Sequence, residues 1–159
     1  EMVTVKTYGD RTLFFDFLPF DIGEIKGHSI KVQLYTVPGQ VKYNATRRLV
    51  LRGVDGLVFV ADSMDLRREM NIRSLQNLKE NLETFNKSIF NIPLVLQYNK
   101  RDLEEEGIPI LSTDTLQRDL NSRLKAPSFA ASAVKGDNVA ATMKKIIALT
   151  VGSLRKKLE

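Results

Sequence analysis

Residues 99–102 ("NKRD") are the part of the sequence whose types and spacing most directly suggest chemistry. A carboxylate such as that of Asp102 can accept two hydrogen bonds, and guanine presents a ring N–H beside an exocyclic amine, a pair that adenine lacks. Asn99 can tie its loop to neighbouring loops and to the base, and the aliphatic stem of Lys100 can lie on the flat purine. The pattern therefore predicts a guanine-binding loop. Its alternative is a polar junction between a strand and a loop.

A second candidate loop, residues 132–136 ("SAVKG"), lies further along the chain. It is close to the S-A-K loop of GTPases, in which backbone N–H groups reach O6 of guanine. Small residues allow that close approach, so Ser132, Ala133 and Val134 are predicted to contact the base. A plain surface loop is the alternative, and the spacing of this loop after "NKRD" favours a binding role.

Arg11 and Thr12 stand just ahead of a predicted edge strand. A threonine hydroxyl in such a place can bind Mg²⁺, and an arginine beside it can neutralise charge that develops on a phosphate. The alternative is a strand-forming threonine next to a solvated arginine, and it is the better interpretation of these two residues in isolation. Their predicted role therefore depends on the rest of the sequence.

Residues 35–44 ("YTVPGQVKYN") end an alternating run with a Pro-Gly turn and a glutamine. Gly39 lies where a switch loop donates a backbone N–H to a terminal phosphate, and Gln40 lies where a residue orienting the attacking water is needed. An ordinary turn with a surface glutamine is the alternative. Because "NKRD" lies downstream at a suitable distance, the prediction is a switch loop.

Composition excludes several classes of protein. The chain has 159 residues, of which 43% are hydrophobic and 27% charged, as in one ordinary globular domain. The net charge of +5 is dispersed, which argues against a nucleic-acid-binding arm. There is no cysteine and a single histidine, His28, so disulfides and thiol-ligated or histidine-rich metal sites are excluded. With no apolar run near the roughly 18 residues of a membrane span and no signal peptide, we expect a cytoplasmic protein without an integral membrane segment.

Two hydrophobic patterns divide the chain into the elements that must position these residues. Alternation over residues 29–35 predicts a strand near a sheet edge, and residues 12–18 are predicted to pair with it as an antiparallel hairpin, with a turn region at 19–28. Continuous apolar runs predict buried parallel strands at 56–63, 93–100 and 128–133. Helical spacing predicts helices at 44–53, 66–85, 112–124 and from about 138 onward, with Leu66 on an apolar face.

Helices that alternate with buried strands predict the α/β fold class. We expect one domain over residues 1–159, with a mostly parallel sheet, one antiparallel edge strand and helices on both faces. Ligands bind at the carboxyl ends of the strands in such sheets. The "NKRD" stretch comes directly after a predicted strand, so it lies where a ligand would bind.

Three stretches of the sequence resemble the bacterial gliding-motility MglA group of Ras-like small GTPases. They are "RTLFFDFLP", "YTVPGQVKYNATRRLVLRGVDGLVFVADS" and "QYNKRDL". Thr36, where most GTPases have aspartate, is the form that this group normally has. The resemblance implies a Ras-like P-loop NTPase fold and a GTP/GDP switch that hydrolyses GTP to GDP in cell polarity or motility.

The resemblance also implies roles for residues that the bare pattern left open. Thr12 would be the switch threonine that binds Mg²⁺, Arg11 an arginine acting in cis, and Gln40 the residue that orients water. The implied cofactors are GTP or GDP with Mg²⁺. The implied partner is MglB, a Roadblock/LC7-type dimer that stimulates hydrolysis. Phe14, Phe17 and Tyr43 are predicted anchors of the docking face, and burial in the core is their alternative.

One departure from the family pattern is serious. The run G-x-x-x-x-G-K-[ST], which cradles phosphates, does not occur among the 159 residues. In the family it lies upstream, and "EMVTVKTYGD" resembles the segment after the helix that it opens, so we expect the first strand and the P-loop to be missing from the chain as written. Hydrolysis is then expected of the complete protein and not of this chain alone. A non-hydrolysing GTPase-like scaffold that uses the switch surface remains the alternative, and a flavodoxin-like domain would leave "NKRD" unexplained.

Overall fold

The computed structural model describes the backbone of residues 3–5, 15–37 and 44–159, and the side chains of residues 23–37 and 44–159. The chain divides into two compact units, Glu1–Gly53 and Val54–Glu159. Each unit contains a sheet of three strands.

The first unit is built on an antiparallel sheet. Its strands are β1 (Val3–Val5), β2 (Phe15–Ile25) and β3 (His28–Thr36), in that order across the sheet, and helix α1 (Asn44–Leu51) comes after them. The predicted hairpin of β2 and β3 is confirmed, as is the alternation along β3 between half-buried and exposed side chains. The short strand β1 was not predicted from the sequence.

The turn region predicted at residues 19–28 contains the turn but is too long, because β2 continues to Ile25 and β3 begins at His28. The turn itself is Lys26–Gly27, whose φ angles of 50° and 81° suit a two-residue hairpin loop of type I′. Pro19 is tolerated within β2 because β1 pairs only with Phe15–Phe17, so that Pro19 needs to pair with β3 alone among the described strands.

A β-bulge explains why Gly23 occurs within β2, where the sequence pattern predicted a turn. Asp21 pairs with Lys31 and Gly23 pairs with Ile30, so one extra residue of β2 lies between two consecutive pairs. Gly23 has a φ of 110°, which a residue with a Cβ rarely adopts. The glycine therefore marks an irregularity within a strand and not its end.

The second unit is built on a parallel sheet. Its strands are β4 (Leu57–Asp62), β5 (Leu94–Asn99) and β6 (Ser128–Ala130), in the order β4-β5-β6. The three predicted parallel strands are therefore confirmed, with β6 shorter than expected. The predicted burial of β4 is wrong, because only Ala61 of this strand is buried and Val60 is 54% exposed. Five consecutive residues of the central strand, 94–98, are buried, as expected of a strand covered on both faces.

The helices of the second unit agree with the sequence patterns in type and place. They are α2 (Arg68–Thr84), α3 (Thr113–Leu116) with a π-helical continuation (Gln117–Asn121), and α4 (Val139–Leu158), with 3₁₀ turns at Asp65–Arg67 and Arg101–Glu106. The side chain of Ser112 caps α3, since its Oγ accepts a hydrogen bond from the N–H of Thr115 at 3.1 Å. The prediction for Leu66 is wrong, because this side chain is 86% exposed.

Helices cover both faces of the parallel sheet. Gln97 and Tyr98 are neighbours on β5, so their side chains leave opposite faces. Gln97 Nε2 donates to Thr142 Oγ1 of α4 at 2.9 Å, and the Tyr98 hydroxyl donates to Gln117 Oε1 at 2.5 Å. The predicted layer order is therefore confirmed. Burial also raises the pKa of Tyr98 to about 12.

The mixed α/β class with a parallel sheet is thus confirmed, and one detail differs. A single antiparallel edge strand was expected on the parallel sheet, whereas β3 pairs with β2 in an antiparallel sheet of its own. In that sheet β2 is the central strand and pairs with β1 on one side and with β3 on the other. Among the helices that the structure describes, none has the length and apolar character needed to cross a membrane.

Candidate functional site

The parallel sheet positions the candidate site, because the carboxyl ends of its three strands lie at one edge. Asp62 at the end of β4 is in register with Asn99 at the end of β5. The chain then leaves β5 through Lys100, whose φ of 71° turns it into the 3₁₀ turn Arg101–Glu106. The sequence-predicted residues of this loop therefore lie at the edge where ligands bind in such sheets.

Two hydrogen bonds join the loop after β5 to the loop after β6. Asn99 Oδ1 accepts from the backbone N–H of Ala133 at 2.9 Å, and Ser132 Oγ donates to Asp102 Oδ1 at 2.8 Å. Ser132 is 2% exposed, so its hydroxyl makes this bond away from water. The structure thus brings together two stretches that the sequence patterns selected separately.

The loop after β6 is a closed turn with Ser132 at its base. The N–H of Ser132 donates to the carbonyl of Asp137 at 3.1 Å, and the N–H of Asp137 donates back to the carbonyl of Ser132 at 2.9 Å. The N–H of Lys135 donates to Ser132 Oγ at 3.3 Å, and Gly136 supplies a φ of 75°. Ser132 Oγ is therefore held by the turn while it orients Asp102.

The backbone N–H groups predicted to reach guanine O6 are partly engaged within the protein. The N–H of Ser132 donates to Asp137, and that of Ala133 donates to Asn99. If the Ala133 N–H is to contact a base, its hydrogen bond with Asn99 must be shared or exchanged. Ala133 and Val134 are both exposed, Val134 by 88%, so this part of the loop is accessible to a ligand.

Asp102 has the capacity to receive a ligand with two donors. A carboxylate offers about four lone-pair positions, and the bond from Ser132 uses one of them on Oδ1. The residue is neither fully buried nor fully exposed. A partly shielded acceptor with one oxygen fixed in place can pair with adjacent N–H groups on a planar ring.

Lys100 has a partner that the sequence patterns did not reveal. Its Nζ lies 2.8 Å from Asp62 Oδ2, and Asp62 Oδ1 accepts a hydrogen bond from the N–H of Met64 at 2.9 Å. The signal that could have revealed Asp62 is a charged residue at the end of a continuous apolar strand. Parallel register would then have placed it beside Asn99.

A second ion pair crosses between the two loops. Lys135 Nζ pairs with Glu105, and this hydrogen bond raises the pKa of Lys135 above its usual value. Both side chains are well exposed, so the pair contributes little energy by itself. It nevertheless links the same two loops that Asn99 and Asp102 join.

The predicted phosphate-end residues Arg11, Thr12, Gly39 and Gln40 lie outside the described residues, and their roles stay predictions. The same holds for the predicted docking anchors, because Phe14 and Tyr43 are outside the described backbone and Phe17 is outside the described side chains. Within the part of the chain that the structure describes, no group of three histidine, aspartate or glutamate side chains could hold a metal ion.

Comparisons with known proteins agree on one family. The Ras family model matches residues 5–151. The mutual gliding-motility protein MglA of Myxococcus xanthus (strain DK1622) is 45% identical over 156 residues, which cover 98% of this chain and 77% of that protein. The Ras-related protein Rab-3C of Mus musculus is 27% identical over 130 residues, covering 82% of this chain and 54% of the Rab protein. The chain therefore spans about three quarters of the first relative and about half of the second.

Proposed function

Because this chain belongs to the Ras family, and to its MglA-like members, we propose that it binds GTP and GDP as a small-GTPase switch. The observation that carries the proposal is the pair of hydrogen bonds Asn99–Ala133 and Ser132–Asp102. They hold the Asp102 carboxylate, which we propose selects guanine, beside an exposed backbone turn at the carboxyl edge of a parallel sheet.

Base recognition is argued from the described residues. Asp102 accepts hydrogen bonds from the ring N–H and the exocyclic amine of guanine, while Ser132 keeps Oδ1 of this carboxylate in place. Asn99 holds the turn that carries Ala133 against the same site. The stem of Lys100 offers an apolar surface to the purine. Adenine presents no matching donor pair, so the site selects guanine.

Hydrolysis belongs to the phosphate end of the proposed site and is supported by the family resemblance. Thr12 would ligate Mg²⁺, which supplies charge neutralisation to the phosphates when bound. Gly39 would donate its N–H to the terminal phosphate and Gln40 would orient the attacking water, while Arg11 would offset charge that develops during transfer. Attack by water on the terminal phosphate would convert GTP to GDP and inorganic phosphate, which would reset the switch.

The cellular role and the partner are also proposals. The name of the Myxococcus xanthus relative assigns that protein to gliding motility. By that likeness we place this chain in cell polarity or motility, as a single small-GTPase domain. Its proposed activating partner is an MglB-like Roadblock/LC7 dimer. Stimulation of GTP hydrolysis by such a dimer would support this role, and an unchanged rate would contradict it.

The test of the base site is a change in nucleotide selectivity. In the full-length protein, Asp102→Asn should weaken GDP binding at least about tenfold, since each hydrogen bond to a charged group contributes about 1.5–3 kcal/mol. Affinity for xanthosine diphosphate should rise, because its ring presents an acceptor where guanine has the amine. Titration calorimetry with both nucleotides measures the two changes.

The matched control for this test is Asp114→Asn, which removes the same charge from an exposed position in α3. This variant should keep the selectivity of the parent protein. If Asp102→Asn also bound GDP as tightly as the parent, Asp102 would not belong to the base site and the proposal would fail.

A further inference from the structure

We infer that Asp62 is a positioning residue of the nucleotide site, one that fixes the side chain of Lys100 as a wall of the purine pocket. The inference rests on the proposed binding of guanine nucleotides. Its basis is the ion pair between Asp62 Oδ2 and Lys100 Nζ, which are 2.8 Å apart. The sequence patterns indicated no role for the Asp62 carboxylate and no partner for the Lys100 ammonium.

Asp62 is held in place by the end of its strand and by α2. Its backbone N–H donates to Asn71 Oδ1 at 3.1 Å, and its carbonyl accepts from Asn71 Nδ2 at 2.9 Å. Asn71 is only 6% exposed, so this double link is part of the packed core. The Asp62 carboxylate is itself oriented, because its Oδ1 accepts from the N–H of Met64. Asp62 is therefore a fixed anchor and not a mobile surface charge.

The side chain of Lys100 is flexible unless a partner holds it. Lysine has high side-chain rotamer entropy, and the side chain of Lys100 is 46% exposed. The residue directly before it, Asn99, is in register with Asp62, so the ion pair ties the Lys100 side chain to the end of the adjacent strand. The stem is thus confined to the carboxyl edge of the sheet, where the base is proposed to lie.

The ion pair also decides which part of Lys100 a ligand meets. Its ammonium is neutralised by Asp62, and the methylene stem between Cα and Nζ remains as an apolar surface for a purine. A free ammonium would instead sample many rotamers and carry its hydration shell. Asp62 therefore slows nucleotide release without contacting the nucleotide.

The test measures the release of GDP carrying a fluorescent methylanthraniloyl group from the full-length protein. Asp62→Asn should raise the dissociation rate about three- to fivefold at low salt, the upper end of the scale of a partly exposed ion pair. The difference between parent and variant should shrink at high salt, because screening weakens the pair in the parent protein. A purely structural role would not give this salt dependence.

Two further variants make the test specific. Asp65→Asn removes an equal charge from the 3₁₀ turn after β4 and should release GDP like the parent protein. In a Lys100→Met background, which keeps an unbranched stem without a charge, Asp62→Asn should change the rate less than about twofold.

Parental release rates for Asp62→Asn, or the same factor in both backgrounds, would overturn the inference. If the parent protein bound no guanine nucleotide at all, the proposed function would fail and the inference with it. That result is distinct from tight binding by the parent together with no effect at Asp62.

Discussion

Ser132 is held in the candidate site by four hydrogen bonds. Its hydroxyl donates to Asp102 and accepts from the N–H of Lys135, while its backbone exchanges two hydrogen bonds with Asp137. A buried group with this many partners leaves them unsatisfied when it is removed. The serine therefore couples the shape of one loop to the orientation of the carboxylate on the other.

Ser132→Ala should accordingly weaken GDP binding by about tenfold, since one hydrogen bond to a charged group is lost. In an Asp102→Asn background the same change should have a much smaller effect, because the oriented carboxylate is already absent. Titration calorimetry on the four proteins measures both effects. Ser122→Ala, at an exposed position, is the control, and equal effects of Ser132→Ala in both backgrounds would disprove the coupling.

Gln40 and Arg11 are expected to act mainly in the transition state. Gln40→Leu or Arg11→Ala in the full-length protein should lower the turnover of GTP by about tenfold or more, while the affinity for GDP changes little. Single-turnover hydrolysis, measured with and without the MglB-like dimer, separates turnover from binding. Hydrolysis at the parental rate by both variants in the presence of the dimer would show that the assignment of these two residues is wrong, whereas absence of hydrolysis by the parent protein would favour the non-hydrolysing scaffold.

Among the elements, α4 lies so close to Gly56, the residue just before β4, that this position requires a glycine. A Cβ added to Gly56 would overlap Thr150 Oγ1 and lie 3.4 Å from Ile146 Cδ1. Thr150 Oγ1 donates to the carbonyl of Ile146 at 2.7 Å, so moving it breaks a hydrogen bond. Gly56→Ala should therefore lower the free energy of unfolding by about 1–3 kcal/mol, as overpacking does. Urea denaturation measures the change.

Gly152→Ala is the control for that prediction. A Cβ added to Gly152 in α4 would have no heavy atom of a described neighbour within 4 Å, so the change should stabilise the protein by about 0.5–1 kcal/mol through helix propensity. Combining Gly56→Ala with Thr150→Ala should recover part of the loss. Equal stability of Gly56→Ala and the parent would show that the helix can move away from the strand.

An ion pair between Asp119 and Arg68, at the start of α2, makes the stability of the second unit depend on pH. Arg68 Nε lies 2.7 Å from Asp119 Oδ2 and Nη2 lies 3.0 Å from Oδ1, and this hydrogen bonding lowers the pKa of Asp119. Because this pKa is lower in the folded state, the ion pair stabilises the fold fully at pH values above the unfolded-state pKa of about 3.9. The stabilisation is lost as the pH falls through the folded-state pKa.

The parent should therefore have a larger free energy of unfolding than Asp119→Asn at neutral pH. This difference should become smaller as the solution is acidified below about pH 4. Denaturant titrations at several pH values measure it. Glu69→Gln is the control, because Glu69 and Arg73 form a largely exposed pair at 3.4 Å. A difference that stays constant with pH would mean that the Asp119 charge does not stabilise the fold.

The elements also show what a sequence can predict. Strong hydrophobic patterns located β4, β5, α2 and α4 to within a few residues, because a hydrophobic period sustained over a whole element is the clearest signal of its type. The extent of β2 was missed, because Pro19 and Gly23 signal turns locally. Pro19 lies beyond the part of β2 that pairs with β1, where β3 is its one partner among the described strands, and Gly23 lies at a bulge.

The candidate site was predictable only in part for a similar reason. Asn99, Asp102 and Ser132 lie in short patterns that a sequence displays directly. Asp62 is joined to Lys100 only through strand register, and Glu105 is joined to Lys135 only through the meeting of two loops. Such long-range pairs cannot be read from local spacing.

At the scale of the whole molecule, the 159 residues contain the proposed base site and no G-x-x-x-x-G-K-[ST] run. Phosphate contacts supply much of the affinity when such a run cradles the nucleotide. The 159-residue chain should therefore bind guanosine and GDP with similar and weak affinity. Titration calorimetry with both ligands measures the ratio. A preference for GDP above about a hundredfold would show that other residues of the chain bind the phosphates.

Tyr98, which is buried in β5, allows the integrity of the parallel sheet to be followed by ultraviolet absorbance. The chain has four tyrosines and no tryptophan, so ultraviolet absorbance changes in alkali come from phenol groups alone. Burial raises the pKa of Tyr98 to about 12, above the value of about 10 expected for a solvated phenol. Because an unfolded chain gives up this proton earlier, stability falls as the pH rises above about 10. In an alkaline titration, an absorbance step near pH 12 would show that the sheet is intact. If all tyrosines instead titrated in one step near about pH 10, the strands would have separated.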